Sequence, residues 1–396
     1  MKRNIVLPVR VFLFMALTCS LSYAGGHKRS GRNGAEELAN LMPYGVTDLV
    51  AQYGSDSDFR LFRATTSLIA KATQHQHETY REYQRVLQGL LSPYAELHEG
   101  FRELPQGSFV MGPRAGEPNP FGNEFTSKGV IEKPFKLAVY PVTQGQYELA
   151  LKLAPLVRGS ESAKPVELKI EDIQKQIGTE SKGWQEHRGR IESFAREQWF
   201  YPSHFIGKDL PILYLTRQEE DDYIKVLNEL IARLWPKAYP HSLYSSKPLR
   251  VRKPTEVERV YATTIPGKGS KWVRVTPVGQ VNEEDFAITA ERRLYPGADN
   301  ARGLPAQREW REGPYPVNSP VFKENDRGLK CLTREVWEVT STPYWDPIHP
   351  AWSDGSNSVI LGGHWGNDPR DCRSASRFLL RPMDRSGSIG LRLAAE

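Results

Sequence analysis

The residues best equipped for chemistry gather in the C-terminal run "VILGGHWGNDPRDCRSASRFLLRPMDRSGSIGLRLAAE", from Val359 to Glu396. A thiol stands there at Cys372, flanked by Asp371 and Arg373, with imidazole, carboxylate and guanidinium groups just upstream. A thiolate is both a nucleophile and a soft-metal ligand, so redox or metal chemistry would start at this residue. Yet the chain has three cysteines in all, and the others, Cys19 and Cys331, stand outside the run. The histidines of "HQHE", His75 and His77, are two residues apart and so fall on different faces of a helix. They read as part of a solvated polar face, not as a shared metal site.

What must position these groups begins with an export signal. "MKRNIVLPVRVFLFMALTCSLSYAGG" has a basic start (Lys2, Arg3, Arg10), an apolar stretch from Val11 to about Leu21, and a small-residue exit at Ser22-Tyr23-Ala24. That pattern predicts a signal peptide over residues 1–24, cleaved after Ala24, and an exported protein, periplasmic or secreted. Ala16-Leu17-Thr18 before Cys19 is a poor lipidation signal. Cleavage removes three positive charges and no acids, which lowers the formal charge from +6 to +3. Lysine and arginine are dispersed among nearly as many acids, so nucleic acid is not an expected partner. No later segment is long and apolar enough for a transmembrane span. Only Cys331 and Cys372 stay with the mature chain, one potential pair and no disulfide framework.

Residues 25–100 read as a small helical region after a flexible leader, "GGHKRSGRNG". Leu61, Ile69, Tyr80, Tyr83, Val86, Leu87 and Leu90 recur at broadly helical spacing until Pro93 interrupts them. Residues 101–396 form the main domain, with short β-like runs such as "GSFVMG" and "IEKPFKLAVYPVT" separated by Gly, Pro and Asn. A charged stretch, Gly159 to Arg196 at its centre, reads as an insertion over about 155–205 with helical pieces. Two helix starts are explicit: Thr216 with Glu219, and Thr255 with Glu258, are capping boxes. After the first, Tyr223, Leu227, Leu230, Ile231 and Leu234 make one apolar stripe.

Taken in order, the landmarks from Leu104 to Glu396 resemble the sulfatase-modifying-factor family, whose best-known members are formylglycine-generating enzymes. "GSFVMG", "PFKLAVYPVTQGQYELAL" and "LPILYLTRQEEDDYIKVL" look like its opening strand, its Val-Thr turn into a helix, and its strand before a capped helix. "VRKPTEVERVYATT" is similar to Arg-Leu-Pro-Thr-Glu-x-Glu-x-x-Tyr-Ala, with Lys253 for leucine and Arg259 for the usual tryptophan. "DRGLKCLTREVWEVTS" resembles a Gly-Asn-Val-Trp-Glu-Trp segment, with Arg334 and Glu335 replacing Gly-Asn. The terminal run supplies the Gly-Gly-x-Trp and Arg-Ser-Ala-x-Arg ending. The resemblance implies an α+β, loop-rich fold related to C-type lectins.

It also implies chemistry that these residues only partly support. The oxidases hold Cu(I) between two thiolates in the interval that here reads "HWGNDPRDC", and Asn367 or a neighbour stands where the first thiol belongs. Copper is therefore not expected. Family members bind Ca²⁺ through loop carbonyls and one carboxylate. The matching residues are Thr333, Arg334, Val336 and the acid Glu338. Arg334 puts a cation where the family has glycine, and Glu338 has a second reading, as a loop anchor through backbone hydrogen bonds. The family's substrate groove is lined by its last segment, which makes His364, Trp365, Asn367, Asp368, Arg370 and Phe378 the candidate ligand-binding residues. Of these, His364, Asp368 and Arg370 are expected at the surface and Trp365 in the core, with Arg373 and Arg377 fixing loop carbonyls. The family fold also brings Cys331 and Cys372 into one half of the domain. A disulfide between them and two separate buried thiols are both open.

The expected function is that of an exported, non-oxidase relative binding a peptide, glycan or protein. The alternative is an exported enzyme of the same family with other chemistry, metal-dependent oxidation or metabolite maturation. A third reading is a ligand-binding relative with a diversified last segment.

Overall fold

Threonine side chains start three of the helices. A computed structural model describes residues 74, 78–93, 100–113, 120–158, 167–240, 248–263, 308, 312–325 and 327–396. The signal segment, His75, His77, Leu61 and Ile69 lie outside the described residues. A first helix, α1, covers 78–91 and buries Tyr83, Val86, Leu87 and Leu90 of the positions the spacing selected, while Tyr80 is half-buried. It stops before Pro93, as a residue that cannot continue the hydrogen-bond ladder requires.

Helix α2, Gln144–Leu153, is capped by Thr143, whose hydroxyl accepts from the Gln146 backbone while Gln146 reaches back to the Thr143 amide. The other end of the Gln146 amide donates to the Leu90 carbonyl at 3.0 Å, so one side chain caps α2 and satisfies the end of α1. The charged stretch folds as α3, Ile170–Ile177, and α4, Lys182–Glu197. Both predicted capping boxes are present. Thr216 precedes α5, Arg217–Ala238, and Thr255 precedes α6, Glu256–Tyr261. The predicted stripe of α5, from Tyr223 to Leu234, is buried throughout.

Ten short strands complete the described residues. β1 (Phe101–Leu104), β4 (Phe135–Ala138), β10 (Ala394–Ala395) and β5 (Val251–Arg252) form an antiparallel sheet in the order β1-β4-β10-β5. β2 (Gly107–Met111) pairs with β3 (Ser127–Ile131). The third sheet runs β8 (Arg377–Leu380), β7 (Ser358–Leu361), β6 (Trp337–Pro343), β9 (Ile389–Gly390), with β6 and β9 parallel. The terminal run thus supplies four strands in two sheets.

The charged insertion is no solvated appendage. His187, Ile191 and Ala195 of α4 are fully buried, and the last two pack with Phe205, Leu213, Val336 and Trp365. The His187 ring takes both its nitrogens into bonds, to the Leu213 carbonyl at 2.9 Å and to Arg190 at 3.0 Å. No helix among the described residues is long and apolar enough to cross a membrane.

Candidate functional site

Two tight turns face each other where the chemistry was expected. Cys331 and Arg334 adopt left-handed backbone (φ 55° and 54°), as do Gly362 (φ 107°) and Gly363 (φ 76°). Glycine adopts such φ without steric cost, whereas Cys331 and Arg334 hold it with a side chain. The Thr333 hydroxyl bridges the turns, contacting the carbonyls of Gly362 at 3.1 Å and Cys372 at 3.0 Å. A β-carbon on Gly363 would stand 2.6 Å from the Cys372 sulfur, which shows how closely the thiol is covered.

Cys372 is fully buried, and burial pushes its thiol up to about 11 although the Arg334 guanidinium works the other way. Cys331 lies elsewhere, in an apolar cluster with Val317 and Phe322, where its thiol donates to the Val317 carbonyl at 3.2 Å. Both are free thiols. Of the two open readings, this geometry is that of separate buried thiols, each sulfur committed to its own surroundings.

The calcium residues also depart from expectation. Glu338 is fully buried, and both its oxygens accept from guanidiniums, Oε2 from Arg259 and both from Arg392 at 2.7–3.0 Å. Burial opposes its charge, and the two arginines overcome that and hold its carboxyl below the usual range. Val336 is in the apolar core and Thr333 is spent on the bridge. Where the calcium reading expected an ion, two arginine side chains occupy both carboxylate oxygens of Glu338. These partners are side chains, not the backbone groups of the anchor reading. No group of three or more His, Cys, Asp or Glu side chains among the described residues is arranged to hold a metal.

Beside Glu338, Glu335 is buried with neither carboxyl oxygen in a well-formed hydrogen bond. Burial pushes its carboxyl well above the usual range, and the Tyr315 backbone and Arg308 offset only part of that. Its surroundings thus disfavour the charged form of this acid.

Of the predicted ligand residues, Asp368 and Arg370 are exposed, Asn367 and Phe378 are half-buried, and Trp365 is core. His364 is the exception, at 3% exposure, and burial lowers its ring to about 4. Its backbone amide donates to Asn367 and its Nδ1 accepts from the Gly366 amide, so it folds the loop instead of facing solvent. Asn367 is spent on the same loop through Asp371 at 2.9 Å.

An aromatic surface missed by the sequence reading lies beside Arg370. That guanidinium covers the Phe121 ring at 3.8 Å, and Phe121 meets Phe378 edge-on at 5.2 Å. A β-carbon on Gly122 would stand 2.7 Å from Ile348 Cδ1, and the loop after β6 exposes Trp345 (51%), Ile348 (57%) and Trp352 (43%). His349 stacks on Trp352 at 4.3 Å. Asp346 fixes this loop, accepting from the amides of Ile348 and His349, the His349 ring and the Tyr344 hydroxyl. The signal was legible in "TPYWDPIHPAW", two tryptophans in a proline-rich loop.

Turns, buried thiol and terminal strands all belong to one fold, and comparison identifies it. Residues 91–396 match the model of the sulfatase-modifying factor enzyme 1-like domain, and the chain belongs to that family. Among solved structures it is similar to PvdO from Pseudomonas aeruginosa, at 20% identity and TM-score 0.45, covering 75% of this chain and 94% of that one. It is also similar to Treponema denticola variable protein 1, at 14% identity and TM-score 0.39, over 74% and 94% of the two chains. A third, CarF, is 14% identical with TM-score 0.40, over 74% and 97%. No curated protein sequence matches.

Proposed function

We propose that this chain is an exported, non-oxidase member of its family that binds a peptide, glycan or protein ligand on the face around Trp345. The observation that carries this reading is the condition of Cys372. It is the one thiol of the terminal run, fully buried, with its ionisation pushed up to about 11. Cu(I) is held by thiolates, and a solitary protonated thiol offers it neither the charge nor the second sulfur. The exposed tryptophans support binding, because rigid aromatic side chains contribute contact area at small entropic cost. Arg370 adds a donor beside them.

The test pairs two assays on the mature protein, whose mass from the native host is expected to begin at Gly25. Copper-loaded protein given a Cys-x-Pro-x-Arg peptide, oxygen and a thiol reductant is expected to yield no aldehyde. Immobilised glycans and peptides are expected to retain wild type, and Trp345→Ala with Trp352→Ala to abolish retention without lowering the melting temperature. Formylglycine formed with turnover, and lost in Cys372→Ala, would sink the reading in favour of an enzyme.

A further inference from the structure

We infer that the Arg259 guanidinium, with Arg392, takes the place of a metal ion at Glu338, so that the turn before β6 is locked without calcium. A calcium site of the expected type would collect loop carbonyls and one carboxylate. The acid of that set, together with carbonyls just upstream of Thr333 in the same loop, is collected here by two arginines. Arg259 reaches Glu338 through Nε and the Leu332 carbonyl through Nη2 at 2.7 Å. Arg392 reaches Glu338, the Lys330 carbonyl at 2.8 Å and the Cys331 carbonyl at 3.0 Å. Its Nη1 goes on to the carbonyls of Ala138 and Val139. Three consecutive carbonyls of the loop and its acid are therefore capped by fixed cations.

Charge makes the exclusion firm. One carboxylate facing two guanidiniums already carries a surplus positive charge, and all three side chains are at most 1% exposed. A divalent ion added there would meet net repulsion in a medium that screens it poorly. The arrangement follows from sequence. Arg259 stands where the family motif has tryptophan, and the capping box at Thr255 fixes the start of α6 so that this residue faces inward. Arg334, the other cation added to this loop, turns to Cys372 and is not among the groups on Glu338.

The experiment uses the full mature chain, dialysed against chelator and then melted with and without millimolar calcium. An ion bound to the folded state alone would raise the midpoint by mass action. The expected result is an unchanged midpoint and substoichiometric calcium by atomic emission. Glu338→Gln should melt lower, by the same margin with and without calcium. Arg334→Gly, which relieves a left-handed residue and so folds, should remain indifferent to calcium. A midpoint raised by calcium in wild type, and not in Glu338→Gln, overturns the inference. So does a calcium response gained by Arg334→Gly, since Arg334 and not Arg259 would then be the excluding cation.

Discussion

Arg373 and Glu124 stand 249 residues apart in sequence and close a two-pronged ion pair, Nη1 and Nη2 each on one carboxylate oxygen, with both side chains cut off from solvent. The pair ties the loop carrying Phe121 to the loop carrying Cys372. Arg377 does the same with Glu256 and also donates to the Trp345 carbonyl. The aromatic face is thus mounted on buried charge pairs.

Removing one partner of the first pair strands the other charge in the core. Arg373→Ala or Glu124→Ala is expected to cost about 3–5 kcal/mol, and the double variant less than the sum of the two. Denaturant unfolding of the four proteins checks this.

His187 and His364 both have rings lowered to about 4, chiefly by burial, with Arg190 adding to the effect at His187. Below the unfolded value of 6.5 the unfolded chain takes up protons that the folded chain refuses, so this stability drains as pH falls from 6.5 to about 4. His187→Gln has no such titration. Its deficit against wild type is expected to shrink across that window, measured as the difference in thermal midpoints.

Glu335 has the opposite sign. Its folded-state carboxyl is raised, so the folded chain holds a proton that the unfolded chain releases above 4.5, and stability falls as pH rises. Glu335→Gln mimics the neutral acid. It is expected to melt above wild type at about pH 8, with the advantage fading toward pH 4.5. An equal shift at every pH would remove the neutral-acid assignment.

The two thiols should behave as separate and covered. Without reductant, alkylation of the denatured mature chain is expected to add two adducts, and brief treatment of the folded chain none. No adducts in denaturant would restore the disulfide, and rapid modification of Cys372 in the folded state would contradict its burial.

Much of this was legible in the residues. Thr216 with Glu219 and Thr255 with Glu258 declare helix starts because a capping box is a local bargain between side chains three apart. The stripe from Tyr223 to Leu234 declares a buried face by periodicity alone, and six motifs in order declared the family. Lys253 and Arg259 were visible as departures from a motif. Their meaning was not, because Lys253 finds Glu220 at 3.0 Å, 33 residues upstream, and Arg259 finds Glu338 79 residues downstream. A sequence shows that a charge has appeared, and only tertiary structure shows which opposite charge neutralises it in the dry core. The same holds for His364 and Cys331. Each is a capable ligand by type, and each is spent by its neighbours, the Gly366 amide and the Val317 carbonyl. Residue type fixed what each group can do, and long-range packing decided which of them face water.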